Sequence, residues 1–151
     1  MLDDTDRRIL RQMQSDPAMA VSEIAERCGL RAATVSRRIE RLRDGDILRG
    51  HRVDIDWQKL GYSVEVSLRF TLDKTQPRAF DEFLAGARQI PEVVAIQTFL
   101  GRVDVRLSVI ATDIADYQRL YRDKILTLPH IAELEALMHV ATIKTAETLP
   151  L

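Results

Sequence analysis

The sequence predicts an α+β chain in two parts, a head of three helices followed by a four-stranded antiparallel sheet with two helices on one face. Two observations carry this prediction. Apolar residues recur at helical spacing as far as Leu48, whereas apolar and polar residues alternate with a period of two from Val64 onward. The second half then continues as strand, helix, strand, strand, helix and strand, which is the βαββαβ order of the ferredoxin-like fold.

Length and composition narrow the class of protein. The chain has 151 residues, of which 46% are hydrophobic and 30% charged, which is typical of one ordinary or two small globular domains. No apolar run approaches the roughly 18 residues of a membrane span, and the charged start MLDDTDRR does not resemble a secretory signal, so we expect a cytoplasmic protein without a membrane partner. One cysteine, three scattered histidines and the lack of a Ser/His/Asp set or phosphate loop predict no cofactor, no metal and no enzyme.

Three helices are predicted in the head, which we place at residues 1–50. The first is capped by Asp3 or Asp4 and ends before Pro17. Ser22 is placed to cap the second helix, and Gly29 can adopt the left-handed conformation that ends it. The third helix has an inward stripe formed by Val35, Ile39 and Leu42.

The second and third helices, joined by a short hinge, indicate a helix-turn-helix of the three-helix (winged) type. Between positions 31 and 52 there are seven arginines and three acids, although the whole chain has a net charge of −1. Basic charge concentrated at one helix is the electrostatic footprint of a nucleic-acid binder. A helical hairpin with a solvated charged face remains the alternative. The candidate DNA contacts are Ser22, Arg31, Ala32, Ala33, Thr34, Ser36, Arg37, Arg38 and Arg41.

A linker at residues 51–62 is predicted to precede the second domain, residues 63–151. The alternation in Arg52–Asp56 suggests a short strand. In the second domain, Pro77 suits the first turn of a helix, and Asp113 can cap the other helix. The strands are expected at Val64–Phe70, at Val93–Leu100 and Val103–Ile110 with a tight turn at Gly101-Arg102, and through Ala136, Met138, Val140 and Thr142.

One face of this sheet is left without a covering helix. Since Val, Leu and Met occur on both sides of several strands, the uncovered face is expected to be apolar and to associate with a second copy of the chain.

Five short motifs together resemble the Lrp/AsnC family of bacterial and archaeal transcription regulators across nearly the whole chain. This resemblance implies a DNA-binding regulator of a pseudo-palindromic operator in double-stranded DNA. It also implies a C-terminal RAM (ACT-like) domain that forms a homodimer, assembles further to an octamer or similar, and binds a small amino-acid effector. The motifs are Asp3-x-x-Asp6-x-x-Ile9-Leu10, Ile24-Ala25-x-x-Cys28-Gly29-Leu30, Val35-Ser36-Arg37-Arg38-Ile39-x-Arg41-Leu42, Gly45-x-Ile47-Leu48 and Gly101-x-x-Asp104.

The resemblance implies that the effector lies between neighbouring dimers, near the loop Gly101 to Asp104. Backbone N–H groups of a tight turn can hold a carboxylate, while Asp104 pairs with an ammonium group. Arg102 is either a partner for an acidic side chain or simply solvated, and a plain hairpin is the alternative for the whole loop. The candidate effector contacts are Thr98, Leu100, Gly101, Arg102, Val103, Asp104, His130, Ile131 and Glu133.

The sequence departs from the family pattern at two places. For that reason neither the identity of the effector nor the usual N-cap of the recognition helix can be carried over to this chain. Arg31 stands where the family commonly has a good N-cap, and the Gly-x-x-Asp loop lacks an aromatic residue. Two other functions remain open: an enzyme resembling the siroheme decarboxylases, which share both domains, and an amino-acid sensor whose head binds a protein. The enzymatic function needs clustered histidines. The surplus of arginines in the head argues against a head that binds a protein.

Overall fold

The computed structural model describes residues 2–143 and 148–151, which divide into two compact units. One unit contains residues 2–54 together with 148–151, and the other is Ile55–Ile143. The boundary falls inside the predicted linker, and the last four residues group with the head rather than with the sheet.

The first unit contains the three predicted helices, α1 (Asp4–Ser15), α2 (Val21–Cys28) and α3 (Ala32–Asp44). The N-cap of α1 is Asp3, one of the two residues predicted to cap this helix. Gly29 ends α2 with φ 63°, in the left-handed region that favours glycine. The stripe of α3 is buried as predicted and packs on both other helices through a core of Ile9, Ile24, Ala25, Cys28, Val35 and Ile39.

Two local predictions in this region are wrong. Ser22 does not cap α2, because the helix begins at Val21, two residues earlier than a helix capped by Ser22, with Ala20 as N-cap and no side-chain cap. The short strand at Arg52–Asp56 is not formed in the part of the chain described, so the head has no β wing there. A strand requires hydrogen bonds from a neighbour, and the single sheet described is complete without this segment.

The second unit is the predicted βαββαβ domain, with a four-stranded antiparallel sheet in the order β2-β3-β1-β4. A five-residue π-helical turn, Tyr121–Ile125, continues its last helix. The elements are β1 (Val64–Leu72), α4 (Ala79–Ala87), β2 (Val93–Thr98), β3 (Val105–Ala111), α5 (Ile114–Leu120) and β4 (Ile131–Met138).

Alternate residues of β1 and β3 form the core under the helices. Phe70 packs against Phe83 of α4, with ring centroids 4.8 Å apart. Leu120 and Ile125 cover the same face from α5 and the π-helical turn. Every second side chain of the two central strands is therefore sealed from water, and the side chains between them form the uncovered face.

Three boundaries in this domain differ from the predictions. Pro77 lies in a turn before α4, whose N-cap is Arg78. The strands β2 and β3 are joined by the six residues 99–104 rather than by a two-residue turn. The last strand ends at Met138, which pairs with Val66 of β1, so Val140 and Thr142 lie beyond the strand.

The uncovered face is also more polar than predicted. On β1 it carries Glu65, Ser67, Arg69 and Thr71, and on β3 it carries Arg106 and Ser108. The apolar side chains on this face include Ile110 of β3, Leu137 of β4 and Ala95 of β2. The apolar side chains of the central strands point to the helices instead, as the strict period of two requires.

Candidate nucleic-acid interface and ligand clefts

The turn between α2 and α3 fixes how α3 is presented. Gly29 donates its backbone N–H to Glu26 at 3.0 Å, and Leu30 donates to the carbonyl of Ala25 at 2.8 Å. These bonds satisfy carbonyl groups that the end of α2 would leave unpaired. Arg8 of α1 also donates to the carbonyl of Cys28. Hydrogen bonds within the turn and from Arg8 of α1 therefore fix the backbone that leads into α3.

The start of α3 is an uncapped helix end. Arg31 is its N-cap residue and makes no side-chain cap bond, so the N–H groups of Ala32 and Ala33 have no partner within the helix. Both alanines and Arg31 are exposed, whereas Thr34 and Ser36 are half-buried. Free N–H groups and the helix dipole at such an end favour an anion such as a phosphate.

The three arginines predicted to contact DNA lie in different surroundings. Arg37 is exposed and forms no ion pair or side-chain hydrogen bond with the described residues. Arg38 has a side chain only 23% exposed, with Nη1 2.6 Å from Asp3 and 2.8 Å from Asp6. Arg41 is 59% exposed, with Nη2 2.7 Å from Asp6.

Asp6 is the centre of this ion-pair cluster and was not among the predicted functional residues. It is fully buried, and its carboxylate also accepts the backbone N–H of Asp3, while Asp3 accepts the N–H of Asp6. The hydrogen bond from Arg38, and then that from the N–H of Asp6, lower the pKa of Asp3 to about 2. The bond to Asp3 in turn raises the pKa of Arg38. Two aspartates three residues apart at a helix start were the sequence signal.

The loop Gly101 to Asp104 is organised by its last residue. Asp104 is 5% exposed, and its Oδ2 accepts the N–H of Leu72 at 2.9 Å. Its Oδ1 lies 3.0 Å from Lys74 Nζ. The N–H of Asp104 donates to the carbonyl of Phe70. Since both carboxylate oxygens are engaged, Asp104 shapes the loop between β2 and β3 and ties it to the end of β1.

The other predicted effector contacts are only partly brought together. Arg102, Val103 and Glu133 line one cleft of about 210 Å³, with Arg69, Thr71, Leu134 and Glu135. Leu100 and Gly101 are exposed at the tip of the loop, where Gly101 has φ 152°. Thr98 and Ile131 are strand residues paired with Val105 and Leu72.

His130 belongs to another contact. It has φ 64°, its carbonyl accepts the N–H of Asp73, and its Nε2 lies 2.6 Å from Glu82. That hydrogen bond lowers the pKa of Glu82. His130 therefore joins the start of β4 to α4, away from the residues that line the cleft.

A second cleft adjoins the first and was missed by the sequence analysis. It measures about 250 Å³ and is lined by Arg69, Phe99, Val103 and Arg106. Arg69 and Arg106 are directly opposite each other on β1 and β3. Only the strand register reveals that these arginines, 37 positions apart, are neighbours.

A basic helix-turn-helix unit followed by a βαββαβ unit defines a class of two-unit DNA-binding regulators. Residues 2–43 match the model of the AsnC-type helix-turn-helix domain, and residues 65–149 match that of the Lrp/AsnC ligand binding domain. The chain therefore belongs to the Lrp/AsnC family and is a DNA-binding transcriptional regulator, as the motifs predicted.

Relatives and solved structures agree with this assignment. The chain is 32% identical over 132 residues to the proline dehydrogenase transcriptional activator of Rhodobacter capsulatus, covering 87% of this chain and 86% of that one. The AsnC family transcriptional regulator of Agrobacterium tumefaciens is 28% identical, with a TM-score of 0.87 and coverage of 99% and 97%. The feast or famine regulatory protein from M. tuberculosis complexed with L-methionine is 25% identical, with a TM-score of 0.85 and coverage of 99% of each chain.

Metal-binding clusters and membrane-spanning helices are both absent from the described residues. These residues contain no group of three or more His, Cys, Asp or Glu side chains placed to hold a metal ion. None of their helices has the length and apolar character needed to cross a membrane.

Proposed function

We propose that this regulator reads double-stranded DNA through α3, with Arg37 and Arg31 as its main cationic contacts. The observation that carries the proposal is an exposed Arg37, without an ion pair among the described residues, close to the uncapped, arginine-flanked start of α3. Phosphate contacts position a recognition helix, and side chains of its first turns meet base edges. Ala32, Ala33, Thr34, Ser36 and Ser22 lie closest to the duplex in this arrangement.

Arg38 and Arg41 have different parts in this proposal. Arg38 is bound to two carboxylates and largely covered, so it holds α3 against α1 instead of contacting DNA. Arg41 keeps more than half of its side chain exposed and has guanidinium N–H groups to spare, so it can add a phosphate contact.

Binding of a selected operator duplex as a function of salt tests the helix assignment. Because each phosphate contact contributes roughly one unit to the slope of log K against log salt, Arg37→Ala should lower the slope by about one. If Arg37 reads a base, the variant should instead lose about 1–3 kcal/mol and relax specificity at one position. Arg7→Ala, an exposed arginine of α1, is the matched control. Unchanged affinity and slope in Arg37→Ala would contradict the proposal.

We also propose that the chain acts in the cytoplasm as a homodimer that assembles further, to an octamer or similar, on a pseudo-palindromic operator. The sheet face without helices supports this, together with the exposed Met138 and Val140 beside it. A dimer presents two recognition helices, so half-sites should be protected about one helical turn, roughly 34 Å, or a multiple of it apart. Sedimentation of the full chain as a monomer that protects a single half-site would contradict this.

A small amino acid is proposed as the effector, bound at the two clefts beside Gly101 to Asp104. The match to a ligand binding domain over residues 65–149 supports this, as does the L-methionine complex of the M. tuberculosis relative. The clefts lie in the sheet unit, so the effector acts through assembly or operator occupancy. A typical coupling of about 1–3 kcal/mol changes DNA affinity about 5- to 150-fold.

Thermal unfolding in the presence of each of the twenty amino acids tests the effector. A ligand that binds only the folded state adds about 2.7 kcal/mol of stability at a hundredfold excess over its Kd. Arg102→Ala should weaken the response, whereas Arg88→Ala, an exposed arginine after α4, should leave it unchanged. No stabilisation and no change in operator binding with any amino acid would refute this part.

A further inference from the structure

Residues 148–151 contact the first helix of the head. They group with the head unit, although the sheet unit precedes them in sequence as far as Ile143. The side chain of Gln14 in α1 lies against Leu149. Its Oε1 accepts the N–H of Leu149 at 2.7 Å, and its Nε2 lies 3.5 Å from the carbonyl oxygen of the same residue. Arg11 donates from Nε to the carbonyl of Leu151 at 2.6 Å.

These contacts recognise the backbone of the segment rather than its side chains. An amide side chain that accepts from and donates to one residue satisfies both backbone groups of that residue. Arg11 and Gln14 are three positions apart on a helix and so lie on the same face. Leu149 is 62% exposed, so apolar burial contributes little to the contact. We call this face of α1, formed by Arg11 and Gln14, the α1 docking surface.

Pro150 shapes the segment for the docking surface. The N–H of Leu151 donates to the carbonyl of Leu149 at 2.9 Å, which closes a three-residue turn around Pro150. The proline ring fixes φ at about −65°, close to the value of about −75° in an inverse γ-turn. A segment that is already restricted in the free state loses less conformational entropy when it docks.

The docked segment gives the head a second connection to the sheet unit. The first connection is the chain between Asp54 and Ile55, and the second consists of residues 144–148, which join Ile143 to the docked residues in sequence. The contacts are exposed hydrogen bonds, each of which contributes little net free energy, so the docking is reversible. The connection within one chain compensates for this weakness, because it keeps the segment at a high effective concentration near α1.

We propose that the α1 docking surface binds residues 149–151 of the same chain and thereby restrains the head, so that the two heads of a dimer are held ready for two half-sites. This inference rests on the proposed function, because it concerns how the same heads bind an operator. A head attached at two points has fewer orientations to lose on binding than a head attached through the linker alone. The hydrogen bonds described for the segment go to α1 and not to α3, so docking leaves the recognition helix itself unchanged.

Operator binding by Gln14→Ala tests this restraint without changing the charge of the head. The probes are a duplex with two half-sites, selected from a random pool by the wild-type chain, and a duplex with one of those half-sites. Gln14→Ala should bind the first about fivefold more weakly, at the low end of typical couplings between sites, and the second equally well. Gln12→Ala, in the same helix and without a side-chain hydrogen bond to the described residues, is the matched control. Circular dichroism checks that both variants are folded.

Half-site spacing gives a readout that damage to α3 would not change. Adding about five base pairs, roughly half a helical turn, between the half-sites should weaken binding by the wild type more than binding by Gln14→Ala. Leu149→Pro removes the backbone N–H that Gln14 accepts and should have the same two effects. The double variant should be no weaker than either single variant, because both remove one contact.

Four results would overturn the inference. Unchanged operator affinity in Gln14→Ala and Leu149→Pro would show that docking imposes no restraint, and a higher affinity would make the segment inhibitory. An equal loss on the single half-site would place the effect within the head itself. Mixed dimers of a Gln14→Ala chain with a Leu149→Pro chain should remain weak, and restored affinity would mean that the segment docks on a second copy.

Failure of the proposed function has a different signature. If the wild-type chain selects no duplex and binds none, the DNA assignment fails and this inference fails with it. If the wild type binds and Arg37→Ala weakens binding while the docking variants do not, the recognition helix is assigned correctly and only the restraint by residues 149–151 is wrong.

Discussion

Each unit of this protein contains a pair of neighbouring arginines, and the two pairs have opposite surroundings. In the head, Arg38 and Arg41 converge on a fully buried Asp6, and Asp3 adds a second carboxylate. In the sheet, Arg69 and Arg106 face each other with one acid at 3.7 Å and a buried donor that has no partner among the described residues. The head pair is balanced within the chain, and the sheet pair is short of negative charge.

The comparison shows that the partners of an arginine, more than its position in a motif, indicate its role. Arg37 and Arg38 are adjacent on the recognition helix, yet Arg38 is bound to two acids and Arg37 to none of the described ones. Cations already paired stabilise the fold, and those without partners are available to a phosphate or carboxylate.

Replacing Asp6 should have the largest effect on stability. Asp6→Ala leaves Arg38 without its buried partner and removes the capping box of α1, so we expect a loss of about 2–3 kcal/mol, less than for a fully buried pair because Arg41 is largely exposed. Urea unfolding measures the change. Asp4→Asn, in the same helical turn but exposed, is the control. Equal stability of Asp6→Ala and the wild type would show that the cluster has no structural role.

Arg38 and Arg37 should separate stability from DNA binding. Arg38→Gln removes one cation from the acidic cluster and should cost about 1 kcal/mol of stability, because the pair is partly exposed to water. Arg37→Gln should leave stability within about 0.5 kcal/mol of the wild type while lowering the salt slope of DNA binding. Unfolding and DNA titrations on the same preparations give both values. The opposite pattern would assign the contact to Arg38.

The decrease in the free energy of unfolding at low pH should depend in part on Asp3. Its pKa in the folded state is about 2, below the ordinary value of 3.8, so its contribution is present above about pH 4 and is lost as the pH falls toward 2. The difference in urea midpoint between wild type and Asp3→Asn should therefore be largest near neutral pH and shrink below about pH 4. A difference that stays constant down to pH 2 would exclude this coupling.

Arg106 should show the smallest stability effect. Because its buried Nε has no partner to lose among the described residues and its neighbour Arg69 is a like charge, Arg106→Leu should change the free energy of unfolding by less than about 0.5 kcal/mol or raise it. Thermal and urea unfolding without ligand measure this. A loss comparable with that of Asp6→Ala would mean that the sheet arginines are structural, and the contrast between the two pairs would disappear.

Much of the fold was readable from local patterns. The stripe of Val35, Ile39 and Leu42 and the terminating Gly29 located the helix-turn-helix, because helix period and left-handed backbone depend on nearby residues alone. The alternation from Val64 located β1 for the same reason. Strand ends were less predictable, since β4 stops at Met138 although the alternation of apolar residues continues to Val140, and the end of a strand depends on pairing with its neighbour.

The sequence by itself determined the order of elements, the buried faces, the basic recognition helix and the family, because these depend on spacing and residue type. Only the tertiary structure decided which charges meet. It brought Asp6 of α1 to Arg38 of α3, placed Arg106 opposite Arg69, and engaged both oxygens of Asp104 with Leu72 and Lys74. Electrostatic and hydrogen-bond contacts act over a few ångströms between residues that are distant in sequence, so packing and strand register must be known before a charge can be assigned a role.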